Sequence, residues 1–386
     1  MAGPVPPFTA EHERFRAEAR EYVSKELRPR AAEWERKRWF PTEVFEELAG
    51  HGYLGLKYPR EYGGRGADHV LDAVWTEELP RCGSGGLAAA IGAHTGIATP
   101  PVWKFGTEEQ KRRFLAPAIR GEKIAALGIT EPGAGSDVAG IRTRARRVDG
   151  GYLVSGSKTY ITNGVRADFV VTAVKTTDEG GHQGLSFLLL ERGMEGFTVA
   201  GKLEKLGWHA SDTAELAFDE VFVPEENLLG EENRGFYLIM ANFQWERLLM
   251  SLGAVGSMQA CVERTLAGGG GSGATAGPAV ANGQAARHAV AEMVVRLEAG
   301  RALTYEALRR FARGDDAVRE VTLAKLATQR AAYEVAESAL RLRAAAGAAT
   351  EEIAELDRAA RDSRLGPIGG GTDEIMREIV GRQLGL

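Results

Sequence analysis

Four short stretches carry residue types whose spacing could do chemistry. Leu127-Gly128-Ile129-Thr130-Glu131-Pro132-Gly133-Ala134-Gly135-Ser136-Asp137 sets the hydroxyls of Thr130 and Ser136 around Gly133 and Gly135. Such a loop offers hydroxyls and unobstructed backbone N–H groups, which suit a pyrophosphate or the edge of a polar ring. A plain glycine-rich turn is the other reading. Lys158-Thr159-Tyr160-Ile161-Thr162-Asn163-Gly164 follows, where Tyr160 can lend an aromatic face and Thr162 a hydroxyl to one planar ring. An aromatic packed in a β core is the alternative. Trp245-Glu246-Arg247-Leu248-Leu249 holds a carboxylate beside a guanidinium, either a catalytic group or a simple ion pair. Ile368-Gly369-Gly370-Gly371-Thr372-Asp373-Glu374 brings three glycines to the start of a helix, as open space or as a tight turn.

The elements that must position these stretches fall into three blocks. Residues 8 to about 120 read as helical. Thr9 is an N-cap with Glu11 and Glu13 in the first turn, and Phe15, Tyr22, Val23 and Leu27 recur at helical spacing. A second helix starts near Pro41-Thr42, carries Val44, Phe45 and Leu48, and stops at Gly50-His51-Gly52. From about 121 the pattern turns to strands: 152–156, 168–174, 185–190 and 215–223 are β-rich runs bounded by Gly, Asp and Pro. After Gly235 helical periodicity returns, with Val290, Met293, Val294 and Leu297 on one stripe. Residues 267–283, rich in Gly and Ala, read as a loop between two bundle helices. The expected fold class is α+β, with an N-terminal all-α domain (1–120), a central β-barrel-like or sandwich domain (121–234) and a C-terminal four-helix bundle (235–386).

Composition narrows the functions. Apolar residues make up 44% and charged residues 26% of 386, an ordinary globular balance. A net charge of −5 without a basic run gives no support for nucleic acid or an anionic membrane as partner. Two cysteines, Cys82 and Cys261, suit a reducing cytosol, and seven scattered histidines without HxxxH or CxxC give no metal site. With neither a signal-peptide core nor a membrane-length apolar run, a soluble, cytoplasmic protein is expected.

In their order and separations, the 127–137, 158–164 and 368–374 segments resemble the acyl-CoA dehydrogenase family. Supporting matches are the Pro59-Arg60-Glu61-Tyr62-Gly63-Gly64 turn, Phe105–Lys111 and Phe218–Pro224, so the resemblance covers nearly the whole chain. It implies FAD as cofactor, held by Leu127, Ile129, Thr130, Gly135, Ser136, Tyr160, Thr162, Thr372 and Glu374. It further implies an acyl-CoA substrate met by Ser136, Arg247, Gly369 and Gly370. The reaction removes the α-proton of the thioester while hydride leaves the β-carbon. Such a base must be a carboxylate held dry enough for its pKa to rise toward neutrality. Most members carry it in an Ile-Tyr-Glu-Gly-Thr motif, where this chain has glycine. A branch that includes isovaleryl-CoA and long-chain acyl-CoA dehydrogenases keeps its base just before an arginine, which implies Glu246 here. The Gly370 N–H would bond the thioester oxygen. Three glycines also suggest a wide pocket for a branched, long or ring-bearing acyl group, with a tight turn as the equal alternative.

Two family motifs are missing. Homotetrameric members lend a neighbour's FAD an Arg-x-x-Phe-Gly and a Gln-x-x-Gly-Gly element. Counting back from Gln284, the first would fall at about Gly273 and Ala276, and the second reads Arg341-Leu342-Arg343-Ala344-Ala345-Ala346. The contacts to its own FAD are kept while those to a neighbour's are lost. This resembles the α2β2 acyl-CoA dehydrogenases of actinobacterial steroid side-chain degradation, in which a homologous subunit completes the site. A self-tetramer with Arg341 or Arg343 taking over the pyrophosphate is the rival. Electron-transfer flavoprotein is the expected electron acceptor. An O₂-using oxidase and a non-catalytic subunit are the competing functions.

Overall fold

The computed structural model describes residues 7–177, 183–267 and 283–386. Most of the 267–283 run, including Gly273 and Ala276, lies outside the described residues. The chain begins with helices α1 (Ala10–Tyr22), α2 (Arg28–Lys37), α3 (Glu43–Gly50), α4 (His69–Glu78), α5 (Gly85–Gly92), α6 (Thr99–Phe105), α7 (Glu108–Gln110) and α8 (Ala116–Ile119). Thr9 caps α1 as its sequence implies: its Oγ1 accepts the His12 N–H while His12 Nδ1 accepts the Thr9 N–H. Phe15, Tyr22, Val23 and Leu27 are all buried, as are Val44, Phe45 and Leu48 of α3. Within the block read as helical, α2 was not delimited as a separate helix, because RPRAAEWERK carries mostly charge and only Ala31, Trp34 and Glu35 turn inward.

Strands follow: β1 (Ala125–Gly128), β2 (Arg144–Val148), β3 (Gly151–Thr162), β4 (Phe169–Lys175), β5 (Leu185–Glu191), β6 (Phe197–Lys202), β7 (Thr213–Pro224) and β8 (Leu228–Leu229). They form one eight-stranded mixed sheet in the order β6-β7-β3-β2-β4-β5-β8, with β1 lying parallel on β4. Four of these strands were missed from sequence. β1 and β8 are very short, β6 is a largely exposed edge, and β2 is arginine-rich with Arg144, Arg146 and Arg147 all exposed.

The last block is α9 (Gly235–Ala267), α10 (Gln284–Ala312), α11 (Val318–Ala345), α12 (Thr350–Asp362) and α13 (Asp373–Gln383). Met293 and Leu297 of the predicted α10 stripe are buried, and Val290 and Val294 are partly so. At 33 residues, α9 is about 50 Å long and runs through three separate cores. Leu238 and Ile239 pack with Phe169 and Phe187 of the sheet. Trp245, Leu248 and Leu252 pack with the N-terminal helices. Val255, Met258 and Val262 pack with α10, α11 and α12. Where the first two cores meet, α9 carries Glu246. Among the described residues no helix is long and apolar enough to cross a membrane.

Candidate active site

The Thr130–Asp137 loop leaves the end of β1 and is anchored by a buried ion pair. Lys158 Nζ donates to Glu131 Oε1 at 2.8 Å and to Ile129 O at 3.1 Å, with both side chains almost fully buried. Glu131 also accepts the backbone N–H groups of Arg142 and Thr143. Burial pulls the Lys158 ammonium down to about 8 even though Glu131 opposes this. Burial pushes Glu131 up, but Lys158 and the N–H donors outweigh it and leave the carboxyl below its ordinary value. The Thr159 N–H donates to Thr130 O at 2.9 Å, joining the loop to β3. Above this anchor Gly133, Gly135 and Ser136 are exposed, and a Cβ at Gly133 would meet nothing within 4 Å.

Tyr160 is held outward by a bulge. Pairing of β3 with β7 slips between Lys158 and Ile161, and Tyr160 sits at φ 60, which is uncommon for a bulky residue. Its ring is 70% exposed, whereas Lys158, Thr159 and Asn163 turn inward. Asn163 Nδ2 donates to Ala90 O at 2.9 Å, tying the motif to α5. An aromatic face, a nearby hydroxyl at Thr162 and a loop with open backbone fit the isoalloxazine and pyrophosphate of FAD. The core-aromatic alternative for Tyr160 is set aside by its exposure.

Glu246 faces a narrow pocket lined by Pro101, Leu127, Ile129, Phe187, Leu238, Ile239 and Phe243 with Asn242 at its side. Burial pushes its carboxyl up to about 7, against the pull of Arg247 and Lys325. A Cβ at Gly370 would lie 3.7 Å from Glu246 Oε1, so the carboxyl and the glycine turn are neighbours. Gly370 and Gly371 have φ 64 and 96, a left-handed conformation that glycine adopts without strain. Among the described residues, no acceptor is found for the N–H of either.

Some expected roles are revised. The glycines do not open a wide pocket: a Cβ at Gly370 would come 2.6 Å from Met250 Sδ, and one at Gly369 would come 3.1 Å from Leu365 Cδ2. The tight-turn alternative accounts for them. Arg247, expected at the substrate, is buried, donates from Nε to Gly370 O at 3.3 Å and lies over the Phe243 ring. Its guanidinium therefore supports the turn. The Ser211-Asp212-Thr213 turn is tied into the β domain: Asp212 pairs with Arg166 at 2.6 Å, and Lys205 Nζ bonds Ser211 and Thr213. Thr372 caps α13 by accepting the Ile375 N–H, and Glu374 is exposed beside Arg377, so neither is joined by a described contact to the Thr130–Asp137 loop. Arg343 is fully buried and pairs with Glu352, which removes it as a donor to a neighbour's pyrophosphate. Arg341 stays exposed beside Glu337.

Lys158, Glu131, Met250 and Lys325 were not singled out from sequence. The first two lie inside the motifs, so their positions were visible but not their pairing. Met250 and Lys325 are ordinary helical residues with no local signal.

Three domain models match the chain: the acyl-CoA dehydrogenase N-terminal domain over residues 9–122, the middle domain over 126–221 and the C-terminal domain over 233–385. The mitochondrial isovaleryl-CoA dehydrogenase of Solanum tuberosum is 35% identical over 379 residues, covering 98% of this chain and 91% of its own. The crystal structure of a probable acyl-CoA dehydrogenase from Mycobacterium abscessus shares 38% identity at a TM-score of 0.91, covering 97% of this chain and 99% of its own. The FAD complex of PigA shares 26% identity at a TM-score of 0.92, covering 99% of this chain and 100% of its own. Helical flanks, a mixed sheet between them and these matches along the whole chain agree: it belongs to the acyl-CoA dehydrogenase family, FAD-dependent oxidoreductases acting on the CH–CH group of an acyl-CoA.

Proposed function

We propose that this chain is the catalytic subunit of an acyl-CoA dehydrogenase that converts an acyl-CoA to its 2-enoyl-CoA, with Glu246 as the base. The observation that carries this reading is one carboxyl, raised to about 7, facing both an apolar pocket and the Gly370 turn. A base with a pKa near the working pH both takes the proton and is ionised often enough to do so. The Thr130–Ser136 loop, Tyr160 and Thr162 would hold FAD, which would supply the acceptor for the β-hydride. The side chains of Leu127, Ile129, Phe187 and Phe243 would take the acyl chain and keep water from the α-carbon. The Gly370 N–H would donate to the thioester oxygen as charge builds there. Electrons would pass on to electron-transfer flavoprotein.

Glu246→Gln should lower kcat by roughly 10³-fold while leaving FAD content unchanged. In the parent protein kcat/KM should rise with pH through about 7, because only the ionised carboxyl accepts the proton. Wild-type turnover in the purified complex carrying the Gln variant would sink the assignment and leave this chain a non-catalytic subunit.

A heteromeric assembly with a homologous subunit is part of the same proposal. Burial of Arg343 favours it over a self-tetramer, since one of the two arginines that could have replaced the missing pyrophosphate contact is committed to Glu352. Expressed alone, the chain should carry little FAD and gain about half occupancy when a homologous partner is co-expressed. One FAD per chain in a self-assembled tetramer would overturn the heteromer.

A further inference from the structure

The turn that presents Gly370 is held from behind by a buried lysine. Lys325 of α11 is fully buried, and its Nζ donates to Gly371 O at 2.6 Å and to Gly366 O at 3.2 Å. Its Cε lies 3.8 Å from where a Cβ on Gly370 would stand. Arg247 holds the carbonyl between them, Gly370 O. Behind the turn, Gln329 Nε2 fixes Met250 O at 2.8 Å, and its amide fills the space where Gly366 would carry a side chain.

Peptide planarity turns these contacts into a constraint. In a trans peptide the C=O and the following N–H point in opposite directions. Pinning Gly370 O and Gly371 O to cations therefore turns the N–H groups of Gly371 and Thr372 the other way. With those two planes fixed, the Gly370 N–H can reorient only by rotation about φ and ψ of Gly370 itself. An ammonium is costly to bury, and this one makes no hydrogen bond to a carboxylate among the described residues. Bonds to two carbonyls of one turn are what it gains there.

We propose that Lys325 is a positioning residue for the reaction, clamping Gly366 O and Gly371 O so that the glycine turn stays seated against Glu246. The proposal rests on the reading of Glu246 and Gly370 given above. Lys325 also sets charge at the site. The groups acting on it are Asp373 from α13, Arg247 and Glu246 from α9, while Glu246 feels Arg247 and Lys325. Burial brings Lys325 down to about 8, above Glu246 at about 7, so it is mostly cationic at the midpoint of the Glu246 titration. Its charge favours the carboxylate, and removing it should raise the pH at which Glu246 ionises.

The test uses the FAD-loaded protein, with its partner subunit if one is required, in the variants Lys325→Gln, Lys325→Arg and Glu246→Gln. Amide hydrogen exchange over 366–373 reads the turn without any turnover. Lys325→Gln should speed exchange there and lower kcat at least tenfold with a smaller change in KM. It should also move the acid limb of kcat/KM to higher pH. Lys325→Arg keeps the charge, so its acid limb should stay, but a longer planar fork cannot bridge both carbonyls from the same place and kcat should still fall. Unchanged exchange with an unchanged pH profile in Lys325→Gln would overturn the proposal. If that variant does not fold, wild-type kcat in Lys325→Arg would overturn it. Turnover surviving in Glu246→Gln would instead remove the base assignment, a failure distinct from that of Lys325.

Discussion

Gly370 shows how much one position without a side chain can decide. At φ 64 an alanine there would adopt a left-handed conformation costing roughly 1–2 kcal/mol, and its Cβ would press on Met250 Sδ. Gly370→Ala should therefore destabilise the protein by about 1–2 kcal/mol in urea denaturation and cut kcat/KM at least tenfold. Adding Met250→Ala should relieve the contact but not the backbone strain, so the double variant should recover only part of the loss. Full recovery would mean that crowding alone constrains the turn. Glu246 belongs to the same scale. Its sequence context, one Glu-Arg pair among many, says nothing of its pKa; the apolar wall formed by residues from α6, β1, β5 and α9 raises it.

At the scale of elements, the β1 loop and β3 are joined by the Lys158–Glu131 pair. Removing one partner of a buried pair leaves the other charge uncompensated, typically at a cost of roughly 3–5 kcal/mol. Lys158→Met should cost about 3 kcal/mol, the low end, because Glu131 still accepts two backbone N–H groups. It should also weaken retention of FAD, read by absorbance after gel filtration. Glu131→Gln in the same background should restore part of the stability. If the single variant unfolds at the parent's urea concentration, the pair is not what anchors the loop. Tyr160 depends on this element too, since its outward ring follows from the bulge and not from its residue type.

For the whole molecule, the three domains meet at a pair of buried carboxyls. Asp362 at the end of α12 accepts the N–H of Trp208 from the β domain and of Gly85 from α5. Glu35 of α2 accepts the Ser84 hydroxyl and the His209 N–H. Burial, then the charge of Glu35, pushes Asp362 up to about 7. A carboxyl raised in the folded state gives stability that is complete below its ordinary value of 3.8 and lost as pH rises through about 7. Glu35→Gln removes the like charge, so the loss of stability between pH 5 and 8 should be smaller than in the parent. Parallel urea midpoints for the two proteins across that range would rule out the coupling.

The sequence by itself determined the family, its cofactor and the helix-sheet-helix order, because those depend on residue type at fixed local spacing. It also pointed to Glu246 as the candidate base, through the absence of a glutamate at the glycine turn. It could not delimit α2 or reveal β2 and β6, whose charged or exposed faces lack a clear hydrophobic period. The roles of Arg247, Lys325, Met250 and Arg343 were decided only by tertiary structure. Each is a helical residue whose contacts depend on what lies across the interface: a glycine carbonyl for Arg247 and Lys325, the missing side chain of Gly370 for Met250, and Glu352 for Arg343. Such partners are distant in sequence, so spacing carries no trace of them.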